Sequence, residues 1–166
     1  MGLWGISAFA DTATTTIGVT ATLTAGPSVA EAQPLAFGSI NVSGVAGGSD
    51  VCAQNSGGTV SCSGAATYVV GSGSQLGQVI ISNEGSGAIT ISNISSSQST
   101  ATANSQTFTM SISNIGDSCV GTLAGTSACT QNLAGSLAMP SSYDFSSSPP
   151  GALSFSDSTV TVTYSG

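Results

Sequence analysis

No stretch of this chain repeats its apolar residues with the 3.6-residue period of a helix; its regular stretches repeat them every second residue. Successive side chains of a β-strand point to opposite faces, so such a stretch buries one face and wets the other. In Asp11 to Thr24 (DTATTTIGVTATLT), Ile17, Val19, Ala21 and Leu23 share one face, while Thr16, Gly18, Thr20 and Thr22 share the other. Gln106 to Ser113 sets Phe108, Met110 and Ile112 against Thr107, Thr109 and Ser111. Ser158 to Tyr164 (STVTVTY) sets Val160, Val162 and Tyr164 against Thr159, Thr161 and Thr163. The expected fold class is all-β, with little helix.

Between these stretches, further strands are expected. Ser28 to Ile40 reads as one strand broken or bulged near Pro34, because a proline inside a strand sits at an edge or a bulge. Ala66 to Val70, Gly77 to Asn83 and Gly87 to Ile94 read as short strands between glycine-serine turns, the spacing of a sandwich or barrel. Val42 to Ser63 and Gly116 to Thr130 read as excursions clipped by cysteines, and Ser95 to Asn104 as a polar loop. At 166 residues the chain is long enough for one domain with a real core.

Charge limits the chemistry more than any motif does. The chain has seven acidic residues and no lysine, arginine or histidine, for a net charge of −7. Without cationic side chains it cannot neutralise phosphates, so nucleic acid and anionic lipid are not expected partners. The usual proton-transfer imidazole, Schiff-base amine and cationic oxyanion clamp are missing too. The chain is nevertheless 40% hydrophobic, with a mean hydropathy of +0.34, a composition that folds rather than one that stays disordered. No apolar run approaches the roughly 20 residues that span a bilayer as a helix.

Cys52 and Cys62 enclose nine residues, and so do Cys119 and Cys129. An even count with matched spacing favours two local disulfides over the other two pairings, and an oxidising compartment outside the cytoplasm. In the chain-entropy description each such loop adds about 2.5 to 3 kcal/mol. A zinc site is disfavoured by the wide spacing and the absence of histidine. Residues 1–10 end in Ala8-Phe9-Ala10, the small-x-small pattern of a signal-peptidase site. They are either a signal remnant or an N-terminal arm on which Trp4, Ile6 and Ala8 share a face. Residues 11–24 then form the first strand, and residues 25–166 the β-domain.

Val19 to Ile40, with its late Leu-Ala-Phe-Gly, resembles the opening of bacterial secreted pilin-like domains, and the closing Thr-Val-Thr-Val-Thr-Tyr is similar to their last strand. The resemblance is to chaperone–usher pilins and spans about residues 17 to 164. It implies an immunoglobulin-like β-sandwich lacking one strand and completed by a donor strand from a neighbouring subunit. The donor role then falls on Ile17, Val19, Ala21 and Leu23, and the edge of the acceptor groove on Val160, Val162 and Tyr164. Implied partners are copies of the chain itself, a periplasmic chaperone and an outer-membrane usher. Two residues follow Tyr164 where the pilin tyrosine is penultimate, and two local cysteine pairs stand in place of a single bridge.

Other sites weigh less. The carboxylates Glu31, Glu84, Asp11, Asp50, Asp117, Asp144 and Asp157 mostly adjoin turn-forming residues, and no acid pair marks a hydrolase. Asp50 and Asp117 each stand two residues before a cysteine, but without the Asp-rich loop that holds calcium. No cofactor and no metal is expected. Asn41-Val42-Ser43 and Asn93-Ile94-Ser95 are glycosylation sequons. The expectation is a non-enzymatic, secreted subunit of a cell-surface filament that polymerises by strand complementation. The competing expectation is a secreted monomeric adhesin, or an ice- or glycan-binding sandwich using its threonine rows. Lacking lysine, the chain forms no lysine isopeptide cross-link and offers trypsin no site.

Overall fold

The computed structural model describes residues 27–166 apart from 117, 149, 156 and 157. The signal-or-arm segment 1–10, the strand expected at 11–24 with Ile17, Val19, Ala21 and Leu23, and Asp117 therefore lie outside the described residues. Those described contain no helix; every paired strand is antiparallel.

The main sheet runs β1 (Ser28–Gln33), β8 (Gly77–Ser82), β13 (Ala128–Ala138), β11 (Gln106–Ile115), β10 (Ser99–Ala103). A hairpin of β4 (Val51–Gln54) and β5 (Val60–Ser63) joins it through the lower part of β13. The sheet curls, and a second sheet lies over its inner face in the order β12 (Gly121–Leu123), β9 (Ile89–Ser96), β14 (Val160–Ser165). Ser96 Oγ donates to Ile112 O at 2.6 Å and Asn114 Nδ2 to Ile94 O at 2.6 Å, tying β9 to β11 where β9 leads on into β10. Two small ribbons complete the fold: β2 (Ala36–Phe37) with β7 (Ser74–Gln75), and β3 (Ile40–Ser43) with β6 (Thr67–Val70).

Alternation decides which side chains meet between the layers. Val79 and Ile81 from β8, Leu133 and Leu137 from β13, and Phe108 and Met110 from β11 face Ile89, Ile91, Val160 and Val162 from the second sheet in one core. Phe108 meets Tyr143 edge-on at 5.3 Å between ring centroids, and Tyr143 meets Phe145 at 4.8 Å, so an irregular stretch closes the lower part of the core. Gly135 faces inward on β13 where a Cβ would stand 2.7 Å from the Phe37 ring; its missing side chain makes room for that aromatic.

The strand expected from Ser28 to Ile40 divides as Pro34 requires. β1 bulges between Glu31 and Gln33 and ends before the proline, and β2 and β3 leave in other directions. The clipped excursions contain strands of their own. Cys52 and Cys62 are opposite one another in the β4–β5 ladder, 4.0 Å apart at Cα, and are disulfide-bonded; Cys119 and Cys129 form the second bridge. Ser95 to Asn104 is not a loop. It holds the end of β9 and all of β10, whose inward residues Ser99 and Ala101 are small and leave no hydrophobic period to read.

Candidate assembly edge

β14 is a strand because threonine and valine, both β-branched, alternate along it and suit a pleated, half-buried surface. Val160 and Val162 are buried, while Tyr164 is half-buried where the strand ends. One side of the strand is held by β9, from Val160 opposite Ser96 to Ser165 opposite Thr90. A bulge at Thr163/Tyr164 leaves Ser92 extra on β9, where its hydroxyl donates to Thr163 O at 3.2 Å. Ser97 N–H donates to Thr159 O at 2.9 Å. In an antiparallel ladder alternate residues bond to the same neighbour, so Thr161 turns its N–H and C=O to β9 while Val160 and Val162 turn theirs the other way. No strand among the described residues takes that other side.

Among the described residues, the other edges of the two larger sheets are short, tied or guarded. β12 has three residues, and β5 has four and is clipped by a disulfide. β10 is followed by Asn104, whose amide donates to the Tyr143 hydroxyl at 2.8 Å and to Ser148 O at 3.3 Å. β1 carries the exposed Glu31, a bulge and Pro34 just beyond it, three devices that spoil an edge for strand addition. β14 has six residues and no charge, and Ser158 to Gly166 contains no proline.

Where β14 ends, a hollow of about 480 Å³ is lined by Asn83, Glu84, Gly85, Gly87, Ala88, Ile89, Tyr164 and Gly166. Asn83 braces its floor by donating to Gly87 O at 2.7 Å, Leu123 O at 3.3 Å and Ala124 O at 3.2 Å. Glu84 on its rim accepts from Ser28 Oγ at 2.9 Å. Neither residue has a sequence signal beyond its place in a turn.

Among the described residues the carboxylates do not assemble a reactive centre. Asp50 is 2% exposed and saturated: Oδ1 accepts from Gly47 N–H at 2.9 Å and Ala65 N–H at 2.8 Å, and Oδ2 from Ala66 N–H at 2.9 Å and the Tyr68 hydroxyl at 2.6 Å. The Tyr68 bond first, then the backbone donors, hold its pKa down at about 2, while burial and Asp50 push the Tyr68 phenol up. Gly64, at φ 143°, leaves room for the carboxylate, which a Cβ there would strike. Donors aimed at both oxygens leave a cation no approach, so Asp50 is a structural tie between the β4–β5 hairpin and β6. Asp144 shapes its own turn by accepting from Ser146 N–H at 2.9 Å. Among the described residues no group of three cysteine, aspartate or glutamate side chains is placed to hold a metal. The sequon residues Asn41 and Asn93 are both exposed, on β3 and β9. Comparison of the chain with protein-family models, with curated proteins and with solved structures finds no match.

Proposed function

We propose that this chain is a secreted structural subunit of an extracellular filament, and that it polymerises by adding a strand from one subunit to the β14 edge of the next. The observation that carries this reading is β14 itself: an alternating, uncharged edge strand with one side of its ladder open among the described residues. Open backbone N–H and C=O groups are a template for another strand, with main-chain bonds supplying affinity and alternate side chains setting register. Residues 11–24, with Ile17, Val19, Ala21 and Leu23 on one face, are the matching donor. In this reading the fold is an immunoglobulin-like sandwich completed by the donor. The two disulfides belong to an oxidising compartment outside the cytoplasm, and the near-absence of charge leaves backbone pairing as the main adhesive. A chaperone and usher are the partners that such a pathway uses.

Removal of residues 1–23 tests the reading by electron microscopy and size exclusion. A folded domain that no longer forms filaments supports donation. Filaments that persist after the deletion would sink it. A chain that is monomeric with and without the segment belongs instead to the class of secreted adhesins and binding modules.

A further inference from the structure

We infer that the outer face of β10, β11 and β13 is a binding plane for ice. This function goes beyond the filament reading and does not rest on it.

The plane follows from strand register. Ala101, Phe108, Met110, Ile112 and Leu137 are buried, so the residues that alternate with them point outward. The ladder sets Thr102 opposite Thr107, Thr100 opposite Thr109, and Ser111 opposite Ser136. Thr100, Thr102 and Thr107 are exposed, and Thr109, Ser111 and Ser136 are half-buried. The pairing of these three strands has no register shift, whereas the second sheet is bulged at Thr163/Tyr164. The hydroxyls therefore repeat as a lattice, about 4.8 Å from strand to strand and about 6.8 Å between alternate residues along a strand. Both spacings lie close to the repeats of water molecules on a face of ice.

Charge and stiffness select the same partner. None of the six residues is charged, and the chain has no cationic side chain to place among them, so the plane matches an uncharged lattice and holds no ion that would draw water into a shell of its own. Threonine is β-branched and stiff at χ1, so its hydroxyl and methyl are already in place when water orders against them. No aromatic ring stands among the six to stack on a sugar. The preference of threonine for strands does not account for the pattern: the outward residues of β8 are Gln78, Ile80 and Ser82.

Thermal hysteresis of the purified chain, read with the shape of the growing ice crystals, tests the inference. The wild type is expected to hold the freezing point below the melting point and to facet the crystals. Thr107→Lys and Thr102→Lys each put a charge on the plane at an exposed position and are expected to lose most of that gap while melting as the wild type does. Thr122→Lys, which puts the same charge at an exposed position on β12 of the second sheet, is expected to keep it. A wild type without hysteresis, a folded Thr107→Lys or Thr102→Lys chain that retains it at the wild-type level, or an equal loss in Thr122→Lys overturns the inference. Filament formation is read on the same chains by electron microscopy, and its presence or absence leaves the result on ice as it stands.

Discussion

The β4–β5 corner and the β14 edge are built from similar residues and treat their polar groups in opposite ways. At the corner, Asp50 takes four donors. Gln54 donates to Ala36 O and Gln75 O and accepts from Gly135 N–H, and a disulfide fixes the hairpin register. At β14 the backbone groups of Val160 and Val162 point away from β9, the one strand beside them among the described residues. An unsatisfied buried donor or acceptor costs about 1–3 kcal/mol, which the bonds at the corner avoid and which, in the proposed reading, a strand added beside β14 avoids there. In the proposed reading the corner is where the molecule is held together, and the edge is where a partner strand adds.

If that division is right, changes at or near the corner alter stability and spare assembly. The largest expected effect is Phe108→Ala, which removes a fully buried ring packed on Tyr143 and Phe145. Its cost is expected at about 3–5 kcal/mol by urea denaturation. Replacing Cys52 and Cys62 by alanine comes next, at about 2.5 to 3 kcal/mol for a loop of this length, with filaments still forming below the lowered melting temperature.

Asp50→Asn changes the shape of the pH dependence. A carboxyl held at about 2, against an ordinary 3.8, contributes stability that is complete above 3.8 and is lost as pH falls through 2. The variant is expected to lose that acid limb in a stability-against-pH series. Tyr68 has the opposite sign: its raised pKa gives a contribution that is complete below its ordinary value of 10 and lost as pH rises past it. Tyr68→Phe should therefore flatten the alkaline side. The smallest effect is expected from Ala30→Lys on β1, an exposed position on an edge already guarded by Glu31 and Pro34. Stability should move by less than about 0.5 kcal/mol. Assembly should not change, and if it fails, β1 rather than β14 is the working edge.

Much of this molecule can be read from its residues wherever alternate side chains differ strongly. Phe108, Met110 and Ile112 against threonine and serine announce β11, and Val160 and Val162 against threonine announce β14. Pro34 announces the break after β1. β10 is not legible, because its inward residues are serine and alanine and its outward ones threonine; the burial that defines it comes from the neighbouring β11. The β4–β5 hairpin hides for a related reason. Its inward residues are Cys52 and Gln54, and neither reads as core without the disulfide and the bonds from Gln54 to β2 and β7. The structural role of Asp50 depends on Ala65, Ala66 and Tyr68, fifteen and more positions away, so as a sequence it is only an acid near a turn. At the candidate site, the residues of β14 are readable in sequence, but that no strand among the described residues takes its other side is a matter of topology. The hollow depends on Asn83 and Glu84, which only the fold brings beside Tyr164.

The open side of β14 is the central claim, and Val162→Pro tests it most directly. Val162 turns its N–H away from β9, so proline there removes a donor from the side that no described strand takes, without removing a bond to β9. The account predicts a monomer with the wild-type far-ultraviolet spectrum and a cooperative melt that forms no filaments under conditions where the wild type does. Filaments formed at the wild-type yield by that folded variant would contradict it.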